Sequence, residues 1–314
     1  VTSSVDHARQ RAKLAARVER ELLAAWRRVD RGAIRESWAE QIPRLLVFLT
    51  TAQAVAASSA DSFVSGQLGA DSAYEIDPRA FTLSASDGRP LDTLLAEPAI
   101  TTLTALSGGV LTLDRAMAAG ELTARLIGHT QTADAGRVAD LTAAVAHPGS
   151  RSWTRMIVGK TCARCLLLAG RRYSWKADFN RHPKCDCIAV PSAEAVSTAA
   201  PVNPMAAFKA MGRLEQDRVF GKAGAEAIRN GADMGQVVNA RREGGVRSAS
   251  VFGRQALITT EGTTRRRRFG PRLDKRRPRL MPEQIFKEAG GDRNEAIRLL
   301  SLHGYIRRRA QGSA

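Results

Sequence analysis

The chain has 314 residues, enough for one or two domains with their own cores. Hydrophobic content of 44% is ordinary for a globular protein. Aromatic content of 5% with abundant alanine argues against a large aromatic sheet core and for close helix packing. A formal net charge of +17 argues against cationic partners and implies an acidic one, nucleic acid or an acidic protein surface.

Residues 4–30 carry Leu14, Val18, Leu22, Trp26 and Val29 on one face at helical spacing, with Arg and Glu elsewhere, which predicts a long amphipathic helix. Gly32 breaks it. Ile34, Trp38 and Ile42 continue a short stripe, and a third helix is expected from Pro43 to about Ser65. The first 44 residues are charged in both signs, unlike a secretory leader. The apolar run Leu45–Ala57 is too short to span a bilayer. A soluble protein of a reducing cytosol is expected, with no membrane partner.

Residues 67–90 read as irregular. From Leu91 to Ala146 the texture is again helical, with breaks expected at Pro98, Gly108-Gly109, Gly120 and Gly136. Three short segments then favour strands: residues 153–158, 173–175 and 187–190. Helices are expected over Met205–Arg218 and Gly221–Asn230, with Asp233 capping another through Val238. Residues 246–280 read as a basic linker. Pro282–Ala289 and Asn294–Leu302 have helix-turn-helix proportions, with Ile285, Phe286, Ile297, Leu299, Leu300 and Ile306 as a small core. The expected fold class is α+β, mainly helical. Its regions are a helical one at 1–70, a core at 71–245, a linker at 246–280 and a helix pair at 281–309.

All four cysteines fall in one stretch with a histidine: Cys162, Cys165, His182, Cys185 and Cys187. A Cys-x2-Cys turn can bring two sulfurs to one ion, and Cys-x-Cys in a strand points both to one face. Soft thiolates with an imidazole suit tetrahedral zinc, which takes four of the five. A fully ligated ion has no open position, so the zinc is expected to be structural. Two reduced cysteine pairs, or a disulfide-stapled hairpin, are the alternative. The neighbouring Gly159-Lys160-Thr161 imitates a phosphate-binding loop, but the glycine required five residues earlier is Thr154. No His-Glu-x-x-His or Gly-x-Ser-x-Gly pattern occurs, and no catalytic role is expected.

The basicity is concentrated late. From Arg241 onward there are 19 Lys and Arg against 7 Asp and Glu. Arg265, Arg266, Arg267, Arg268, Lys275, Arg276, Arg277 and Arg279 are the candidate contacts to double-stranded DNA, without sequence specificity, or to an acidic partner. A solvated, extended linker is the plainer alternative.

Thr161, Cys162, Cys165, Leu168-Ala169-Gly170, Tyr173, Phe179, His182-Pro183 and Cys185-Asp186-Cys187 together resemble the Mu F-like minor head proteins of tailed phages. Residues 227–233, 237–242 and 280–285 are similar to members from phages of actinobacteria. The resemblance covers roughly residues 120–306 and departs at Asp186, where many members carry Arg. It implies a minor capsid protein of head morphogenesis, made in the host cytoplasm and located in the virion, in the head interior or at the portal vertex. It also implies association with portal, capsid or scaffold proteins and with packaged DNA. A zinc-stabilised DNA-binding protein and a capsid maturation protease are the alternatives.

Overall fold

A computed structural model describes residues 3–109, 111–157, 161–177, 179, 185, 187–194, 203–241, 246–251, 254–259 and 279–306. They form a mainly helical α+β protein with two small antiparallel sheets. The chain divides into two compact units, Val1–Thr161 with Ala169–Val202, and Cys162–Leu168 with Asn203–Ala314. The boundary expected near residue 70 is absent, because the helices on its two sides share one core.

In the first unit, α1 (Ser4–Trp26) is capped by Ser3, whose hydroxyl accepts the Asp6 N–H at 3.1 Å. It buries Ala8, Ala15, Val18, Leu22, Ala25 and Trp26. Then come α2 (Ile34–Ala39), α3 (Ile42–Ser58) and α4 (Ala60–Leu68). The single helix expected over 43–65 is interrupted at Ser59. By length and composition Ile34–Leu68 contains a window apolar enough to cross a membrane. In the fold, α3 buries Leu45, Leu49, Ala52, Ala56 and Ala57.

A 3-10 turn (Pro78–Phe81) leads to α5 (Leu91–Leu95), α6 (Glu97–Ser107) and α7 (Leu113–Ala146). Two indoles centre the core: Trp26 meets Trp38 edge-on at 5.1 Å. Each has its N–H satisfied, Trp26 donating to the Met117 carbonyl at 3.1 Å and Trp38 to the Leu95 carbonyl at 2.7 Å.

Helix α7 runs 34 residues without the breaks expected at Gly120 and Gly136. Both glycines serve close approach. A Cβ at position 120 would collide with the Trp26 ring and the Thr102 hydroxyl. One at 136 would lie 2.7 Å from the Arg11 guanidinium, and one at Gly128 3.1 Å from the Glu19 backbone. Glycine costs an exposed helix roughly 1 kcal/mol relative to alanine. Here tertiary packing against α1 offsets that cost.

The α1–α7 seam also encloses charge. Arg11 donates two hydrogen bonds to Asp140, at 2.5 and 2.8 Å, and the His7 Nε2 lies 3.2 Å from both carboxylate oxygens. The His7 ring stacks on Phe63 at 3.8 Å. Burial pushes the Arg11 guanidinium below its usual value, and Asp140 opposes that shift.

After α7, β1 (Ser152–Met156) is the central strand between β2 (Arg172–Ser174) and β3 (Ile188–Ser192), all antiparallel. All three overlap the short segments expected as strands.

The second unit contains α8 (Ala163–Leu168), α9 (Pro204–Ala210), α10 (Arg213–Phe220), α11 (Lys222–Arg229) and α12 (Met234–Asn239). It continues with β4 (Val246–Val251), β5 (Arg254–Thr259), β6 (Arg279–Leu280), α13 (Pro282–Ala289) and α14 (Arg293–Leu302). The helix expected over 205–218 is divided at Met211-Gly212. The Asp233 side chain caps α12 by accepting the Gln236 N–H at 2.8 Å.

Val246–Val251 and Arg254–Thr259, expected as linker, are strands: β4 pairs antiparallel with β5, and β5 pairs in turn with β6. The helix pair is not separate. The Asp233 N–H donates to the Tyr305 carbonyl at 2.6 Å, and Arg293 donates to the Asn230 side chain at 3.2 Å. Gly290 and Gly291, at φ 57° and 90°, make the turn between α13 and α14. Ile285, Leu299 and Leu300 are buried as expected, joined by Tyr305.

Candidate metal centre

The β1–β3 sheet positions the second cysteine pair. In an antiparallel register Trp153 faces Tyr173 on one side and Pro191 on the other. Trp153 stacks on Tyr173 at 4.2 Å and leans on Phe179 at 5.1 Å. Two residues along, on the same strand face, the Arg155 guanidinium lies 4.0 Å over the Phe179 ring. Cys187 immediately precedes β3, so strand pairing fixes where its side chain begins.

Cys185 and Cys187 are both buried, and their sulfurs lie 2.7 Å apart. Arg155 donates to the Cys187 Sγ at 2.9 Å. From α7, the Arg137 Nε donates to the Cys187 carbonyl at 2.8 Å, and its Nη1 to Asp134 at 3.0 Å. One cysteine thus receives a guanidinium N–H on its sulfur and another on its backbone.

The first pair lies at α8. Cys162 precedes the helix, its carbonyl accepts the Leu166 N–H at 3.0 Å, and its Sγ accepts the Cys165 N–H at 3.3 Å. Backbone N–H groups aimed at sulfur suit a thiolate acceptor.

The sulfurs of Cys165, Cys185 and Cys187 all lie within 4.8 Å of one another, and all three residues are buried. At a zinc–sulfur distance of about 2.3 Å, tetrahedral geometry needs sulfurs about 3.8 Å apart. The Cys185–Cys187 separation of 2.7 Å is shorter than that, so an ion between them would spread the pair; as three buried soft donors within 4.8 Å of one another, the thiols form a group able to hold a metal ion. Cys162 lies outside this group of three. His182 lies outside the described residues, so the fourth position is shared between Cys162 and His182 as candidates. The donor set fits a soft or borderline ion such as zinc.

Arg155 and Arg137, which hold Cys187, are not marked out by the sequence motifs as candidate site residues. A signal for Arg155 exists: it alternates with Trp153 on a strand face that packs inward. Nothing in its local sequence marks Arg137, in the middle of a long helix. Replacing Arg155 by Gln is expected to weaken zinc binding about 10–100-fold, in the range for removed partners of metal ligands. Arg155→Lys should recover part of it. In cobalt-substituted protein the Gln variant should move the sulfur-to-metal charge-transfer band to lower energy, because the sulfur lone pair loses an N–H donor. An unmoved band would show that Arg155 only fills space.

Of the basic candidates, Arg265, Arg266, Arg267, Arg268, Lys275, Arg276 and Arg277 lie outside the described residues, as do Gly159 and Lys160. Arg279 is a correction. It is fully buried, donates to the His303 carbonyl at 2.8 Å and lies 3.8 Å over the Tyr305 ring. Its strand pairing with Thr259 turns it inward, where its guanidinium satisfies carbonyls at the end of α14. It is a core arginine and not a surface contact.

Residues 2–213 match the VG15 protein family. The chain belongs to this family. VG15 is a phage virion-gene family, so the protein is virion-related. The match takes in the N-terminal helices, the β1–β3 sheet and all four cysteines, and it ends at Arg213, before the β4–β5 strands and the α13–α14 pair. No curated protein and no solved structure matches the chain.

Proposed function

We propose that this VG15 protein is a minor structural protein of the phage head, of the Mu F-like minor head type. In this reading it associates with the portal and with the procapsid interior. Family membership over residues 2–213 carries the reading. The Cys162-x2-Cys165 and His182-x2-Cys185-x-Cys187 pattern and the high positive charge support it. The role is architectural and not catalytic: the cysteines that converge are buried side by side and backed by arginine, as suits a metal that pins a small sheet to its helices. Packaged DNA and acidic faces of head proteins are the partners that the charge favours.

Cross-linking of assembled particles followed by mass spectrometry tests the proposal. The expected result is links from this chain to portal protein, at a copy number far below that of the major capsid protein. A chain that stays in the host cytoplasm on a defined DNA sequence would instead favour a zinc-stabilised DNA-binding protein.

A further inference from the structure

Helix α1 has a second face with no part in the core. Arg9, Lys13, Arg17 and Arg20 are exposed, as is Arg27 at the C-cap. At 3.6 residues per turn the five fall within an arc of about 80°, directly opposite the buried His7, Arg11, Val18 and Leu22. The row from Arg9 to Arg27 is about 27 Å long at 1.5 Å per residue.

Neighbouring charges do not neutralise the row. Asp6, 3.7 Å from Arg9, is the acidic side chain on the arc. Glu19 and Glu21 flank it and are engaged elsewhere, by Arg125 at 2.9 Å and by Arg44 at 3.7 Å. Lys13, Arg17 and Arg20 make no ion pair among the described residues. Like charges four residues apart destabilise a helix, so the repeat gains the fold nothing.

From this we infer that α1 presents a docking ridge for the phosphate backbone of double-stranded DNA. This goes beyond the head-protein reading, because it moves DNA contact onto a helix of the first unit. A protein partner would call for aromatic or aliphatic anchors among the charges, and between Arg9 and Arg27 the arc holds, besides these cations, only Ala24. A polyphosphate needs only closely spaced flexible cations, which fix position without reading bases.

The test is the salt dependence of full-length protein binding to a short mixed-sequence duplex. Replacing Arg9, Lys13, Arg17 and Arg20 together by Gln should lower the slope of log K against log salt by about 3–4, close to one for each phosphate no longer neutralised. The thermal midpoint should hold or rise. Each single Gln variant should lower the slope by about 1, which keeps the inference testable if the quadruple variant does not fold. An unchanged slope would overturn it, as would a slope that falls only when Arg265–Arg268 are replaced. Retained DNA binding together with failure to capture an acidic virion protein would overturn it in favour of a protein partner. Association with portal protein is read separately, so failure here leaves the head role standing or falling by itself.

Discussion

Replacing Asp140 by Asn should destabilise the first unit by about 3–5 kcal/mol, the range for breaking a buried ion pair from one side. The size follows from what remains. Asp140 is 1% exposed and receives two N–H groups from Arg11, itself 7% exposed. With the carboxylate gone, the guanidinium stays buried with no counter-charge. Its Nε already lacks a hydrogen-bond partner among the described residues. His7 is deprived of its carboxylate neighbour as well, while stacked flat on Phe63. Since domains are stable by only about 5–15 kcal/mol, a loss of this size removes a large share of the margin. Urea unfolding followed by the fluorescence of the tryptophans in the α1–α3 core measures it. The double variant Arg11→Met with Asp140→Leu should lose much less, because an apolar pair leaves no stranded charge. Equal losses in the single and double variants would show that the seam depends on shape and not on charge pairing.

That ion pair is not legible in the sequence, and the reason is general. Periodicity reports which face of a helix is apolar, so α1, the three strands of the β1–β3 sheet and α11 through α14 can be placed from residue pattern and caps. It cannot report that a polar residue at a buried position has a partner 129 residues away, as Arg11 has in Asp140. The glycines of α7 show the same ambiguity. Gly108-Gly109 follows the end of α6, whereas Gly120, Gly128 and Gly136 let α7 approach Trp26, the Glu19 backbone and Arg11. Locally the residue is the same, and only the neighbour across the gap decides. Arg279 misleads because its basic neighbours make it look like one of a run, although Leu280-Met281-Pro282 after it marks the entry to a packed element. Cysteine spacing is more informative, because metal ligands announce themselves by type. It identifies the buried Cys165, Cys185 and Cys187, but not the arginines that hold Cys187.

Cys187→Ser should have the widest structural effect of any single change at the metal centre. The residue joins three things: its sulfur converges with those of Cys165 and Cys185, that sulfur takes the Arg155 N–H, and its carbonyl takes the Arg137 N–H. A serine hydroxyl is a poor ligand for a soft ion, and it leaves the buried Arg155 guanidinium facing a neutral group in place of a thiolate. Structural zinc contributes about 10–16 kcal/mol of folding free energy in zinc-finger peptides, so losing even a fraction of that would open the small sheet. The wild-type chain, purified without chelator or tag, should carry about one zinc ion, and the Ser variant almost none. Protease cleavage should then appear within residues 150–192 of the variant, while α7, held by its own packing against α1, stays resistant. Prolonged treatment of the wild type with a chelator should reproduce the pattern, and added zinc should reverse it in the wild type alone. Wild-type protein free of metal and as protease-resistant as the variant would sink the metal centre. If its thiols then resisted alkylation until a reductant was added, Cys185 and Cys187 would instead be a disulfide staple.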